Sequence, residues 1–197
     1  QTVLTYGTSL TAAGAWVGQL RKTLQATYPD KVKVISGAQS GMWSKWGVDN
    51  LDQRVIAHKP DTVLIEFAMN DAFLKYQTSV QDARNNLINM IDRILAANAN
   101  AEIILMTMNP PINQHLEQRP KIEDYYQMYR DVAKERKLLL IDHYENWKPV
   151  LADKDLFKKY VPDGIHPGPE GCEKVITPAL FKSLGLPPPS SSGDSPK

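Results

Sequence analysis

Short apolar runs alternate with amphipathic stretches along most of this chain. Five runs have the length and residue types of buried β-strands: Val3 to Tyr6, Val32 to Ile35, Thr62 to Phe67, Ile103 to Met108 and Leu138 to Ile141. Between them apolar residues recur with helical spacing, most regularly after Asp82, where Ala83, Leu87 and Ile91 share one face. Strand and helix alternate five times without an internal sequence repeat. This pattern predicts a three-layer α/β/α sandwich with a parallel sheet and right-handed crossovers.

The end of the chain differs from the rest. Pro178 lies within the final helical pattern, from Glu170 to Leu184, and predicts a kink or division there because proline lacks the amide hydrogen that a helix interior uses. Residues 187–197 read PPPSSSGDSPK, a composition that cannot bury enough apolar surface to become ordered. We therefore expect one folded domain over residues 1–186 and a disordered tail or linker over 187–197, with room for a further domain after it.

Composition narrows the set of partners. The chain has 197 residues, of which 42% are hydrophobic, as suits one domain with a sizeable core. Lys and Arg (23) almost balance Asp and Glu (22), and no basic block is present, so we expect no nucleic-acid partner. No apolar run reaches roughly 18 residues, so no membrane partner is expected. Cys172 is the single cysteine and lacks metal-ligand spacing, so we expect neither an internal disulfide nor a metal site. We also expect no cofactor.

Ser9 follows the first predicted strand, in the segment Gly7-Thr8-Ser9. In open α/β sheets the carboxyl ends of the strands border the ligand crevice, and we expect Gly7 to let the backbone turn sharply at that edge. A serine hydroxyl is a weak nucleophile without a base beside it. The interpretation of Ser9 therefore depends on a histidine elsewhere in the chain.

Four histidines are candidates for that base: His58, His115, His143 and His166. His143 follows the fifth predicted strand and could lie at the edge of the crevice. His166 has the more suitable context, because two glycines and three prolines between residues 162 and 169 predict a rigid turn with Asp163 three residues earlier. In such a turn Asp163 can accept a hydrogen bond from Nδ1 and hold Nε2 toward a hydroxyl proton. The alternative is that both residues only cap the final helix.

An acyl-transfer site also needs hydrogen-bond donors for the oxyanion that forms during attack. Gly41 lies in the loop after the second predicted strand, and Asn70 lies just after the third. A glycine amide can approach a ligand closely, and a carboxamide donates without taking up a proton. Each loop alone is typical of an ordinary turn. The interpretation rests on the strand ends and the final turn bordering one crevice.

These segments together resemble a known family. Gly7-Thr8-Ser9-Leu10, Gly41, Asn70 and Asp163-Gly164-Ile165-His166 resemble, in order, the four sequence blocks of the SGNH hydrolases, also called the GDSL esterase/lipase family. The resemblance extends from Val3 to about Leu184. It implies the SGNH hydrolase fold, a flavodoxin-like sandwich with a five-stranded parallel sheet ordered 2-1-3-4-5.

The resemblance also implies roles for the matching residues. Ser9 would be the nucleophile, His166 the base and Asp163 the acid that orients it. The oxyanion hole would consist of the amides of Ser9 and Gly41 and the side chain of Asn70.

Two positions depart from the family pattern. Thr8 stands where the signature has aspartate, and we expect altered hydrogen-bonded support around Ser9 without loss of activity. Ala68 stands where the third block often has glycine, and we expect its methyl group to narrow the site slightly. Asp71 matches the family pattern, and we interpret it as a structural hydrogen-bonding residue.

Aromatic residues follow several of the proposed site segments. Trp43 and Trp46 follow the Gly41 loop, Phe73 and Tyr76 follow Asn70, and Trp147 follows the fifth predicted strand. Aromatic walls beside a polar acyl site suit a sugar ring, so we expect Trp43, Trp46 and Phe73 to bind substrate. For the two tryptophans, packing in the core is an equally good interpretation.

The resulting hypothesis is a carbohydrate acetylesterase-like enzyme. We expect a serine esterase that removes acyl groups, above all acetyl, from a carbohydrate or other small polar ester through an acyl-Ser9 intermediate, in a secreted or periplasmic setting. One alternative is a lysophospholipase or thioesterase acting on short to medium acyl chains. A non-catalytic carbohydrate-binding module is a second. A third is a phosphate-binding flavodoxin-like protein that uses Thr8, Ser9 and Thr11 as an anion cradle, a model that gives the Asp163/His166 turn no role.

Overall fold

The computed structural model describes residues 1–188. Its five strands are β1 Thr2–Gly7, β2 Lys33–Ser36, β3 Thr62–Glu66, β4 Glu102–Thr107 and β5 Leu139–Asp142. Every neighbouring pair is parallel, and the strand order is β2-β1-β3-β4-β5. The predicted sheet and its order are confirmed, with strand bounds within one residue of the predicted ones. Residues 189–197 of the predicted tail lie outside the described part of the chain.

Helices cover both faces of the sheet. They are α1 Ser9–Ala12, α2 Ala15–Thr27, α3 Ser44–Arg54, α4 Ala68–Asp71, α5 Val80–Ala97, α6 Gln114–Glu117, α7 Ile122–Arg136, α8 His143–Ala152, α9 Lys154–Tyr160, α10 Pro169–Gly171 and α11 Thr177–Ser183. Helix α5 packs between α3 and α7 on one face, and α2 packs with α11 on the other. Within residues 1–188, no helix combines the length and the apolar character needed to cross a membrane.

The central strands are buried on both faces. Val63, Leu64 and Ile65 are consecutive residues of β3, and each is at most 1% exposed. Such unbroken burial is typical of a parallel strand covered by helices on both sides. The C-terminal helical segment is divided as Pro178 predicts, because a π-helical turn at Cys172–Ile176 separates α10 from α11.

Backbone hydrogen bonds extend the pairing of β1 beyond the sheet. The amide of Gly37 donates to Thr5 O at 2.9 Å, and the amide of Gln39 donates to Gly7 O at 3.1 Å. The loop after β2 is therefore held beside the end of β1. This places Gly41 and Ser9 on the same edge of the sheet.

His143, the first residue of α8, is fully buried rather than exposed at the edge of the crevice. Neither ring nitrogen has a hydrogen-bond partner among the described residues. Burial lowers the pKa of His143 to about 4, and the neighbouring Asp142 opposes this only in part. The folded protein therefore keeps this imidazole neutral.

We predict that His143→Leu makes the stability less dependent on pH between pH 6.5 and pH 4. In the unfolded chain the His143 imidazole takes up a proton below its ordinary pKa of 6.5, whereas in the folded protein it does so only near pH 4. The unfolded state thus binds more protons in this range, and His143 lowers the free energy of unfolding by about 3 kcal/mol at pH 4. Urea unfolding at pH 7 and pH 4.5 measures the difference. An equal fall in both proteins would contradict the prediction.

Candidate active site

Three predicted residues form a continuous hydrogen-bonded chain. Ser9 Oγ lies 2.8 Å from His166 Nε2, and His166 Nδ1 lies 2.6 Å from Asp163 Oδ2. Ser9 begins α1 directly after β1, whereas the other two residues lie in the turn between α9 and α10. The order of the contacts is the one in which an imidazole can take a serine proton while a carboxylate holds its other nitrogen.

Asp163 shapes the turn that presents His166. Its Oδ1 accepts hydrogen bonds from the amides of Ile165 at 3.0 Å and His166 at 2.7 Å, while Oδ2 faces the imidazole. Partial burial pushes the pKa of Asp163 upward, but these amide and imidazole hydrogen bonds outweigh it and hold the pKa below its ordinary value. The carboxylate is therefore ionised at neutral pH. No side chain caps α10, whose N-cap is Gly168, so the alternative of a simple helix cap is wrong.

This chain of residues lies at an open surface. The side chains of His166 and Asp163 are 45% and 51% exposed, and Ser9 is half-buried. The turn is tied to the loop after β4, because the amide of Ile112 donates to Gly164 O at 3.0 Å and Asn109 Nδ2 donates to Ile165 O at 2.9 Å. The imidazole is thus held firmly while solvent and large ligands can reach it.

Gly41 and Asn70 meet in one hydrogen-bonded segment. Gly41 has a φ of 76°, a backbone conformation that favours glycine and sets the direction of the loop. Asn70 is 6% exposed, and its Nδ2 donates to Met42 O at 2.8 Å. A carboxamide nitrogen carries two hydrogens, so one remains available for a ligand. The structure therefore places both residues at the strand edge where the oxyanion donors are expected.

Asp71 is a buried residue that binds the start of α3, just after the Gly41 segment. It is 1% exposed, and its Oδ1 accepts from the amide of Ser44 at 2.8 Å. Burial raises the pKa of Asp71 to about 7, against the hydrogen bonds from Ser44. These contacts agree with the interpretation of Asp71 as a structural residue.

Two details around Ser9 differ from expectation. Gly7 has no positive φ; its role is a close approach, since a Cβ there would lie 2.3 Å from Glu66 Oε1. Ala68 is 1% exposed and packs in the core, so the expectation that its methyl group narrows the site is wrong.

Sequence reasoning missed Glu66. It is 2% exposed, and its carboxyl group contacts the turn that contains Ser9. Burial raises its pKa to about 7 despite hydrogen bonds from Thr11 and Thr8. The available signal was a single acidic residue near the end of an otherwise apolar strand.

Three aromatic side chains form a cluster beside the Gly41 segment, which we call the aromatic shelf: Trp43, Phe73 and Tyr76. The rings of Trp43 and Tyr76 are stacked, with centroids 4.5 Å apart, and Phe73 meets Tyr76 edge-on at 5.7 Å. The Tyr76 hydroxyl donates to Gly41 O. The Arg119 guanidinium lies 4.4 Å from the centre of the Phe73 ring. All three shelf residues are half-buried.

The other two aromatic candidates, Trp46 and Trp147, lie outside the aromatic shelf. Trp46 is half-buried and packs against Tyr6, with ring centroids 5.9 Å apart. Trp147 is fully buried and packs against Phe157 with ring centroids 5.8 Å apart, so it does not contribute to an aromatic wall beside the site.

Comparison with known proteins agrees with the fold. Residues 4–174 match the model of the GDSL-like lipase/acylhydrolase family, and the chain belongs to that family. The predicted resemblance is thereby confirmed. Family membership supports an esterase or acylhydrolase activity.

Individual relatives give further detail. An arylesterase of Vibrio mimicus is 29% identical over 139 residues, which make up 71% of this chain and 64% of the relative. The match thus spans less than two thirds of that relative. The acetylxylan esterase Axe2 of Geobacillus stearothermophilus has a TM-score of 0.82 at 22% identity, with 97% of each chain covered. A lipase/acylhydrolase of Enterococcus faecalis has a TM-score of 0.79 at 25% identity, with 95% of this chain and 98% of the other covered.

We predict that Asp163→Asn strongly reduces hydrolysis of a simple ester such as 4-nitrophenyl acetate. The asparagine oxygen can still accept from the amides of Ile165 and His166, so the turn keeps its shape, but the charge that stabilises an imidazolium is lost. We expect kcat to fall roughly 100-fold or more with little change in the melting temperature. Steady-state kinetics and thermal unfolding measure the two effects. A fully active variant would exclude the assigned role of Asp163.

Proposed function

We propose that this protein is a serine esterase that removes acyl groups, chiefly acetyl, from a carbohydrate or another small polar ester. The observation that carries the proposal is the hydrogen-bonded chain from Ser9 Oγ through His166 to Asp163, with distances of 2.8 and 2.6 Å. It supplies a nucleophile, a base and an ionised carboxylate in the required order.

In the first half of the proposed reaction, Ser9 is acylated. His166 Nε2 takes the Ser9 proton as Oγ attacks the acyl carbon, and Asp163 stabilises the resulting imidazolium. The oxyanion accepts hydrogen bonds from the amides of Ser9 and Gly41 and from Asn70 Nδ2. When the ester C–O bond breaks, the leaving alcohol takes the proton from His166.

The second half releases the acid. Water gives a proton to His166 Nε2 and attacks the acyl-Ser9 carbonyl, and the same three donors hold the second oxyanion. Collapse of this intermediate returns the proton to Ser9 Oγ. Ser9, His166 and Asp163 thus each return to the protonation state in which they began. No metal or cofactor takes part in these steps.

Two features favour a carbohydrate ester. His166 and Asp163 are about half exposed, which leaves room for a bulky sugar or a polymer. The aromatic shelf lies beside Gly41 and is only half-buried, and the apolar face of a sugar ring stacks well on aromatic side chains. The structural similarity to an acetylxylan esterase points in the same direction. An acetylated polysaccharide as substrate is consistent with the proposed secreted or periplasmic location.

One observation supports the alternative of a lipid or thioester substrate. Leu74, next to Phe73, is 62% exposed and could contact an acyl chain. Rates that rise from acetyl to medium-chain esters would favour this alternative.

We predict that Ser9→Ala abolishes acetate release from an acetylated xylo-oligosaccharide and from 4-nitrophenyl acetate. The wild-type protein should also be labelled by a fluorophosphonate, whereas the variant should not.

Ser183→Ala, an exposed substitution at the end of α11, is the matched control and should keep full activity. Retained turnover in the Ser9 variant would refute the serine mechanism. An inert wild-type protein that still binds glycans would instead indicate a non-catalytic module.

We predict that Trp43→Ala raises KM for the acetylated oligosaccharide about tenfold, which corresponds to the loss of roughly 1.4 kcal/mol of stacking. The KM for 4-nitrophenyl acetate, which has no sugar, should change much less. Trp43→Phe keeps an aromatic face and should retain most of the affinity. Equal effects on both substrates would contradict a sugar-binding role for the shelf.

A further inference from the structure

Glu66 is a buried carboxyl group to which the proposed reaction gives no step. It ends β3 and pairs with Gly7 of β1 in the sheet register. Burial of an acidic side chain is costly unless hydrogen bonds satisfy it. The partners of this carboxyl group therefore indicate what it does.

All hydrogen-bond partners of the Glu66 side chain within residues 1–188 belong to the four-residue turn from Thr8 to Thr11. Oε1 accepts from the amide of Thr8 at 2.7 Å and from the Thr11 hydroxyl at 2.7 Å. The Thr8 hydroxyl lies 3.0 Å from Oε1 and 3.1 Å from Oε2. Glu66 thus holds the residues on both sides of Ser9, and its side chain makes no hydrogen bond to any other element in the described part of the chain.

Thr8 transmits this contact to the start of α1. Its hydroxyl oxygen accepts from the amide of Leu10 at 3.1 Å while its hydrogen points to Glu66. A threonine can donate and accept at once, whereas an ionised aspartate at this position could only accept. The departure of Thr8 from the family signature therefore fits an acidic partner on the neighbouring strand.

The backbone of this turn sets the positions of two groups that the reaction needs, the Ser9 hydroxyl and the Ser9 amide. Ser9 is the first residue of α1, and the Thr8 hydroxyl caps this short helix. The direction of Ser9 Oγ toward His166 and the direction of the Ser9 amide toward the oxyanion both depend on the backbone of this turn. A displacement of about 1 Å in such a group can cost about 100-fold in rate.

We propose that Glu66 is the positioning residue for Ser9: through Thr8 and Thr11 it holds the nucleophile and the Ser9 amide in register with His166. This inference rests on the proposed serine mechanism but not on the identity of the natural substrate. It assigns no proton transfer to Glu66.

The test compares two substitutions of Glu66 with 4-nitrophenyl acetate as substrate. Glu66→Gln keeps an oxygen that can accept from the Thr8 amide and the Thr11 hydroxyl, and kcat should stay within about threefold of the wild type. Glu66→Leu removes both acceptors, and kcat should fall about 10- to 100-fold with KM nearly unchanged. The rate of fluorophosphonate labelling of Ser9 should fall in parallel with kcat.

A matched control separates positioning from a general loss of stability. Leu87→Ala creates a cavity on the buried face of α5, away from Ser9, and should lower the melting temperature while leaving kcat and labelling unchanged below the transition. The inference is overturned if folded Glu66→Leu keeps the wild-type kcat. It is also overturned if Leu87→Ala, at an equal loss of melting temperature, loses activity to the same extent.

If Glu66→Leu does not fold, Thr11→Val tests the same contact from the other side. It removes one donor to Glu66 Oε1 and should lower kcat several-fold in a folded protein; an unchanged kcat would then overturn the inference.

The wild-type and Ser9→Ala proteins are measured in the same assay. Turnover that persists in Ser9→Ala would refute the serine mechanism and this inference with it, whereas Ser9-dependent turnover that is insensitive to Glu66 and Thr11 would refute this inference alone.

Discussion

The pairing of β1 with β2 on one side and β3 on the other determines where Ser9, Gly41 and Asn70 lie. Parallel pairing brings the ends of three strands to one edge, so the loops that contain Ser9, Gly41 and Asn70 meet although they are far apart in sequence. The register of β1 with β3 also sets Gly7 opposite Glu66, and the absence of a side chain at Gly7 lets the carboxyl group reach the turn around Ser9. Slippage of one residue between these strands would separate these groups.

The last part of the site comes from the far end of the chain. Ser9 and His166 are 157 positions apart, so their contact depends on how the C-terminal helices return to the sheet. Helix α2, which follows Ser9, holds them there: Gln19 Nε2 donates to Pro169 O at 3.3 Å, and Thr177 donates to Gln19 Oε1. Helix α2 thus both covers the sheet and helps to hold the turn that contains His166 beside Ser9.

The sequence was sufficient for the features that depend on periodicity and chain order. The apolar runs predicted all five strands, and the position of Ser9, Gly41 and Asn70 after successive strands predicted their meeting at one edge. Glu66 was missed because its role follows from the cross-strand register, which no local pattern reveals. Trp147 and His143 were misplaced for a related reason: α8 begins at the end of β5 and turns both side chains into the core, whereas residue type alone allows either burial or exposure.

The half-exposed imidazole has a consequence for the course of the proposed reaction. Where a site closes over its substrate, opening of the lid and product release often limit the rate. Here no rearrangement would be needed for bulk water to reach the acylated serine. A long polymeric substrate could likewise enter and leave along the open surface. Ester groups in the middle of a polymer would then be as accessible as those at its ends, and bond making and breaking, rather than gating, would limit turnover.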